Sequence, residues 1–213
     1  MSLVTERKPI SNRSMALMAC GWLLISLFVG ETQLLKSIPG PAVPLIVWSL
    51  TIALLTCYFL HHGFRLWMDQ TSSKFLVAIH LVRFVGFYFL YLKSHGRLPA
   101  QFALPAGWGD ILVAILAIPV LLFARPAGFG WGLLSWNILG CADILYVVIT
   151  AARMMVVDPR GMAEFTTLPL SFLPTMIVPV IISTHVILFI RLARGYRKEA
   201  LSAIIGSEKA EQN

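Results

Sequence analysis

The chain has 213 residues, of which 58% are hydrophobic and 13% are charged, and its mean hydropathy is +0.80. A soluble domain carries roughly 45–50% apolar and about 25% charged residues, so this chain has too few charges to cover a water-facing surface. Intrinsic disorder is excluded as well, because it requires low hydrophobicity. The composition therefore predicts a polytopic integral membrane protein whose main partner is the lipid bilayer.

The chain is basic, with 17 Lys and Arg against 10 Asp and Glu and a net charge of +7. In a soluble protein this excess would suggest nucleic acid as a partner. Here the basic residues cluster at the ends of apolar runs, where they orient helices and meet anionic lipid head groups. No nucleic acid partner is expected.

Six apolar runs have the length of about 20 residues that a helix needs to cross the hydrocarbon core. They predict an all-α fold with six transmembrane helices. The runs cover approximately residues 14–30, 41–60, 75–92, 106–124, 130–150 and 168–190. The chain then divides into a basic N-terminus (1–13), a six-helix transmembrane domain (14–190) and a basic, then polar tail (191–213).

The connections between the runs predict the orientation. One side of the membrane receives eleven basic residues, namely Arg7, Lys8, Arg13, Arg65, Lys74, Arg125, Arg191, Arg194, Arg197, Lys198 and Lys209. The other side receives five, namely Lys36, Lys93, Arg97, Arg153 and Arg160. Because cytoplasmic loops carry the excess of Lys and Arg, both termini are expected in the cytoplasm.

Ionisable side chains at membrane depth are costly, so each one inside a run is a functional candidate. Arg83 falls near the midplane of the third run. Asp110 of the fourth run and Asp143 of the fifth lie toward the outer face, where both could share Arg83. Such a buried triad would carry a formal charge of −1.

A second polar layer is expected toward the cytoplasm. His80 of the third run and His185 of the sixth fall at similar depth, with the weaker candidate Asn137 of the fifth run near them. His80 and Arg83 are three residues apart and share a helix face. Asn137 and Asp143 are six apart, on different sides of the fifth helix, so only one of them is expected to point directly at its layer.

The two carboxylates lie in similar sequence contexts. Gly107-Trp108-Gly109-Asp110-Ile111-Leu112 and Gly140-Cys141-Ala142-Asp143-Ile144-Leu145 both place a small residue three positions before Asp-Ile-Leu. Small residues permit close approach of helices, so antiparallel neighbours with this pattern could bring both carboxylates into one polar cavity. Coincidence is the alternative explanation.

The sixth run contains Pro169, Pro174 and Pro179. Each proline removes a helical donor and leaves a carbonyl one turn earlier without its partner. Such broken backbone is tolerated in a membrane where it is buried or lines a cavity. A kink before His185 would make this helix a moving part, although prolines are also simply common in membrane helices.

Three functions fit these residues. The first is handling of a proton, ion or small solute, in which Asp110 or Asp143 exchanges a proton or cation and Arg83 stabilises their ionised forms or binds an anionic solute. Asn137 belongs to the same candidate site. A transporter of six spans is small, so a homo-oligomer is expected. The second function is structural, with Arg83 and Asp143 fixing helix register in a scaffold or assembly factor.

The third function is electron transfer, in which His80 and His185 are the axial ligands of one b-type haem. Otherwise no cofactor, metal site or catalytic residue is predicted. Cys20, Cys57 and Cys141 fall inside apolar runs without paired spacing, so they are expected as small buried hydrophobic residues. Walker A, Gly-x-Ser-x and histidine-box motifs are missing from the runs, and the chain is not expected to be an enzyme.

Several of these segments together resemble a family of uncharacterised six-helix bacterial inner-membrane proteins. The segments are His80–Gly86, Leu104–Asp110, Trp136-Asn137 with Gly140 and Asp143, and Pro174–Pro179 followed by His185. The resemblance covers the third to sixth runs and implies the helix number and a bacterial inner-membrane location. In size and helix number the chain is also similar to haem-binding subunits of ferric-reductase type, but it lacks their additional intramembrane histidines.

Overall fold

The computed structural model of the chain describes residues 8–123 and 130–211, with side chains as far as residue 197. All regular elements among these residues are helical, which confirms the predicted all-α class. Arg7 and Arg125, two of the basic residues in the charge comparison, lie outside the described residues.

The α-helices are α1 (Asn12–Glu31), α2 (Ala42–Leu60), α3 (His62–Gln70), α4 (Ser73–Ile79), α5 (Gly86–Ser94), α6 (Ala100–Phe123), α7 (Trp131–Val157) and α8 (Val178–Glu211). A 3-10 segment, His80–Val85, joins α4 to α5. A π-helical segment, Leu173–Ile177, leads into α8. Short 3-10 turns lie at Leu34–Ser37 and Ala163–Thr166.

Six helical stretches in the described part of the chain are long and apolar enough to cross a membrane, which agrees with the predicted number. They are α1, α2, Ser73–Ser94, α6, α7 and Leu173–Arg197. Three predicted helices have wrong boundaries: α6 begins at Ala100 instead of residue 106, α7 continues to Val157 instead of residue 150, and the last span covers Leu173–Arg197 instead of 168–190. A helix ends where its hydrogen bonding stops, which need not be where its apolar run stops.

The last span, Leu173–Arg197, is the most buried of the six. Helix α6 packs against α4, the 3-10 segment, α5 and α7. Helix α8 packs against α2 and α7, whereas α1 touches mainly the Leu34–Ser37 turn and the π-helical segment. The polar candidates on the third, fourth, fifth and sixth spans are therefore carried by elements that all pack against α6 or α7.

Contacts with α3 bring the segment before α1 and the middle of α8 to the same side of the bundle. Near the start of α1, Ile10 donates a backbone hydrogen bond to Gly63 of α3 (3.2 Å). From α8, Arg191 donates to the carbonyl oxygens of Thr71 (2.8 Å) and Met68 at the C-terminal end of α3. The short helix α3 was not expected from the sequence, and the predicted tail from residue 191 continues α8 as far as Glu211.

The prolines of the last span act differently from one another. Pro169 precedes the helical stretch, which corrects its expected place inside the span, and Pro174 occupies the first turn of the π-helical segment, where a missing donor costs little. Pro179 has no amide hydrogen for the carbonyl of Thr175 one turn earlier. The indole Nε1–H of Trp22 donates to that oxygen instead (2.8 Å), so α1 supplies the missing partner.

Candidate functional site

Arg83 is the centre of a buried ionic cluster formed by Arg83, Asp110 and Asp143. Its side chain is 1% exposed. Its Nε donates to Asp110 Oδ1 (2.7 Å), its Nη2 donates to Asp143 Oδ2, and its Nη1 donates to the carbonyl oxygen of Gly140 (3.0 Å). The guanidinium thus joins the 3-10 segment to α6 and α7, and the sequence-based expectation that both carboxylates share Arg83 is confirmed.

The 3-10 segment determines how Arg83 is presented. A 3-10 helix has 3.0 residues per turn, so side chains at positions i and i+3 lie directly above one another. His80 and Arg83 therefore lie one turn apart on the same face of this segment, and both are fully buried. The sequence predicted a shared face from ordinary helical spacing, but not the tighter winding that aligns them.

Glycines leave the space in which the two carboxylates pack. A Cβ added at Gly109 would collide with the carboxylate of Asp143, whose Cγ would be only 2.9 Å away. Gly107 faces α5 instead, where its backbone meets Gly86. The repeated pattern does lie on adjacent helices, as expected. Gly109 of α6 accepts the carboxylate of Asp143 from α7, and Gly140 of α7 packs against Val113 of α6, so two of the three glycines in the pattern permit the close approach of these helices.

A second layer, the histidine layer, consists of His80, Asn137, Thr184 and His185 and lies next to the ionic cluster. His80 Nε2 is 3.1 Å from Thr184 Oγ1, and His185 Nδ1 is 2.8 Å from Asn137 Oδ1. The two imidazole rings touch, with centroids 4.3 Å apart and planes at 54°. Both histidines and Asn137 are 0% exposed. Trp136 packs against both rings, with centroids 5.0 Å from His80 and 5.6 Å from His185.

Gly140 separates the two layers. Its carbonyl oxygen accepts from Arg83, while its Cα lies so close to His185 that an added Cβ would be 2.7 Å from Cε1 of that ring. Gly140 therefore contacts the ionic cluster through its carbonyl oxygen. Because it has no side chain, His185 of the histidine layer can pack directly against its Cα.

Both Asn137 and Asp143 reach their layers, so the expectation that only one of them would do so is wrong. Asn137 Nδ2 donates to the carbonyl oxygen of His185 (3.1 Å), and Asp143 pairs with Arg83. The two layers approach α7 from different sides: α8 brings His185, and the long side chain of Arg83 extends from the 3-10 segment. The angle between Asn137 and Asp143 around α7 therefore did not prevent each of them from contacting its own layer.

The hydrogen-bond partners determine the tautomer of each histidine. The single proton of the Thr184 hydroxyl is shared between the carbonyl oxygens of Val180 and Ile181 (both 2.9 Å). Its oxygen then accepts from His80, and we assign the proton of that ring to Nε2. Because Asn137 uses its amide group as donor, its Oδ1 accepts and His185 carries its proton on Nδ1. Nδ1 of His80 and Nε2 of His185 are left bare, and neither has a hydrogen-bond partner among the described residues.

We expect the two neutral histidines to have opposite tautomers. In ¹⁵N-labelled protein in detergent, the imidazole shifts should show a protonated Nε2 for His80 and a protonated Nδ1 for His185. Asn137→Ala should allow His185 to populate both tautomers, because the acceptor for its Nδ1 proton is removed. The tautomer of His80 should stay unchanged, because Thr184 still accepts from its Nε2. Identical tautomers in the unmodified protein would contradict the hydrogen-bond assignment.

The histidine layer does not fit the bis-histidine haem expected as one possibility. Axial nitrogens lie roughly 2 Å from a metal on opposite sides, so ligating ring centroids must be about 6 Å apart with the macrocycle between them. The rings of His80 and His185 are 4.3 Å apart and in direct contact. Each ring keeps one nitrogen without a hydrogen-bond partner in the described part of the chain, Nδ1 of His80 and Nε2 of His185, so the ring contact is the observation that disfavours the haem.

Other metal and cysteine chemistry has little support in the described residues. Within residues 8–123 and 130–197, no group of three or more His, Cys, Asp or Glu side chains could hold a metal ion. Cys20 and Cys57 are exposed on the outer surfaces of α1 and α2 and Cys141 is half-buried, which corrects the expectation that all three are buried. They lie in apolar runs, but on faces directed away from the bundle interior.

Sequence reasoning missed several residues that hold these layers. Thr184 contacts His80, yet as an ordinary residue of an apolar helix it gave no signal. Trp136 carries part of the resemblance, but its contact with both histidines was not expected. A further polar group joins α2, α3 and α8 at the end of the bundle that carries the termini. There Tyr58 donates to Asp69 (2.8 Å), and Arg194 pairs with Asp69 (3.1 Å).

Comparison with known proteins gives one match. No curated protein and no solved structure matches the chain. A family model described as a domain of unknown function (DUF8737) matches residues 40–193, a range that includes the ionic cluster and the histidine layer. The match covers well over half of the chain, so the chain belongs to this family.

Proposed function

We propose that this DUF8737 member transports a proton or a small monovalent cation across a membrane by way of the ionic cluster. The observation that carries the proposal is the charge balance of the cluster: two carboxylates share one guanidinium, which gives a formal charge of −1. Burying an uncompensated charge is expensive. Binding one proton or one monovalent cation makes the cluster neutral, so occupancy changes its electrostatic energy strongly.

An anionic solute, which the sequence left open, is disfavoured by the same contacts. Each of the three nitrogens of Arg83 already donates to Asp110, Asp143 or Gly140. An incoming anion would add negative charge to a cluster that already has an excess of it. The cargo that fits is therefore positively charged, with a single charge.

The orientation of the protein, the membrane that contains it and its oligomeric state are part of the same proposal. The excess of basic residues on the side of the termini supports a cytoplasmic location for both ends. The sequence resemblance supports a bacterial inner membrane. A homo-oligomer is proposed because six spans make a small transporter. Large apolar residues are exposed on α1, such as Leu24 (66%) and Phe28 (65%), and lipid or a second copy of the chain can pack against them.

The test is ion flux in liposomes that contain the purified protein, with Asp143→Asn as the main variant. We expect Asp143→Asn to reduce proton or cation flux by about tenfold or more, because the cluster then needs no added charge to be neutral. Asp158→Asn is the matched control, since it removes a carboxylate at the end of the same helix, away from the cluster, and should leave the flux unchanged.

A structural role is the second candidate, and the bonds from Arg83 to both α6 and α7 favour it. A scaffold needs the cluster only for stability, so Asp143→Asn would then lower the free energy of unfolding in detergent while the unmodified protein shows no flux. Transport predicts flux in the unmodified protein that is lost in Asp143→Asn, whereas a scaffold shows no flux in either, so flux in the unmodified protein is the discriminating measurement.

A further inference from the structure

An apolar chamber adjoins the ionic cluster on the side away from the termini. Its volume is about 50 Å³, and it lies between α2, α5, α6, α7 and the start of the last span. Among the described residues that line it, only Arg83 and Asp110 have polar side chains. Its walls include Val47, Phe89, Phe102, Val147, Ala151 and Phe165. The polar cavity expected from the sequence is thus apolar except where it meets the cluster.

The charged end of the chamber favours a cation. Asp110 is 4% exposed, and its Oδ1 is bonded to Arg83. Its Oδ2 makes no hydrogen bond within the described residues, so it can accept one from an occupant of the chamber. Since the cluster has a formal charge of −1, the occupant that complements it carries one positive charge and at least one hydrogen-bond donor.

The walls favour a cation with a hydrocarbon part. Phe89, Phe102 and Phe165 pack together with centroids 5.2–5.9 Å apart. Such walls offer no oxygen ligands to replace the hydration shell of a metal ion, which such ions give up at great cost. An alkyl group, in contrast, gains free energy when it leaves water for an apolar space, and aromatic rings attract ammonium groups.

The volume limits the size of the cation. An engineered apolar cavity of about 150 Å³ accepts benzene, so a chamber of about 50 Å³ has space for roughly two to four non-hydrogen atoms. A primary ammonium ion with one or two carbons meets this limit and keeps N–H donors for Asp110. Quaternary ammonium ions have no such donors, and most of them are larger.

We propose that the chamber binds a short-chain primary alkylammonium ion, such as methylammonium or ethylammonium. Its ammonium group donates to Oδ2 of Asp110, and its alkyl group lies against the phenylalanine side chains. This assignment rests on the cation transport proposed above, because it names the cargo of the same cluster.

Isothermal titration of the full-length protein in detergent tests the assignment. Ethylammonium should bind, whereas ethanol, which is neutral and of similar size, and tetraethylammonium, which is larger and has no donor, should not. Asp110→Asn should weaken ethylammonium binding by about tenfold or more. Val147→Phe fills the chamber and should abolish binding, while Val156→Phe on the exposed face of the same helix (63% exposed) should not.

A second filling variant, Ala151→Leu, covers the case in which Val147→Phe does not fold, since it adds less volume to the same wall. If ethylammonium does not bind to the folded, unmodified protein, the inference is overturned. It is also overturned if ethylammonium still binds to a folded variant in which the chamber is filled. Proton flux in liposomes without ethylammonium binding overturns this inference and leaves the transport proposal standing. Binding without any flux supports the inference and overturns the transport proposal.

Discussion

Replacing Arg83 with methionine is expected to lower the free energy of unfolding by about 3–5 kcal/mol, the usual cost of removing one partner from a buried ion pair. Methionine keeps an unbranched apolar stem but lacks the guanidinium, so a part of the loss comes from reduced packing. Asp110 and Asp143 then remain buried, at side-chain exposures of 5% and 15%, without their shared cation. The measurement is an unfolding titration with sodium dodecyl sulfate in mixed micelles.

Two comparisons separate the buried charge from other effects of the substitution. Arg97→Met removes a surface pair in which Arg97 and Glu164 make two hydrogen bonds (2.9 and 2.8 Å) at side-chain exposures of 51% and 22%. Solvent screens such a pair, so little change is expected. Adding Asp110→Asn and Asp143→Asn to Arg83→Met should restore much of the lost stability. Additive losses in the triple variant would contradict the ionic cluster.

Replacing Gly86 with alanine is expected to destabilise the protein by about 1–3 kcal/mol, the range for overpacking a filled interior. Gly86 begins α5 and is buried against α6. An added Cβ would collide with the carbonyl oxygen of Gly107 and lie 3.0–3.1 Å from side-chain atoms of Ile111 and Asp110. The backbone oxygen cannot rotate away, so α5 and α6 would have to separate, and Arg83 would move relative to Asp110.

The control for this prediction is Gly21→Ala. Gly21 lies within α1, and no atom lies within 4 Å of the position of an added Cβ. Alanine has the higher helix propensity, so this change should leave the free energy of unfolding unchanged or raise it slightly. Equal losses at Gly86 and Gly21 would show that close packing of α5 on α6 is not the cause.

The number of long apolar helices and the identity of the charged partners could be predicted from the sequence because both depend on local properties. A run of about 20 apolar residues forms a spanning helix almost regardless of its neighbours, since backbone groups in lipid must be satisfied within the segment. The rise along a helix then gives the depth of each polar residue. Depth and charge were sufficient to associate Arg83 with Asp110 and Asp143.

Rotation about each helix axis and the choice of neighbours were decided only by the tertiary structure. Depth placed His80 and His185 in one layer, but not in ring contact, and it could not supply Thr184 or Asn137 as the partners that determine their tautomers. The apolar chamber is formed by residues from six separate chain segments, so no local pattern indicates it. Side-chain packing between helices has no counterpart in the hydropathy of a single helix, and for that reason the sequence predicted which polar groups are buried while the fold determined what each of them contacts.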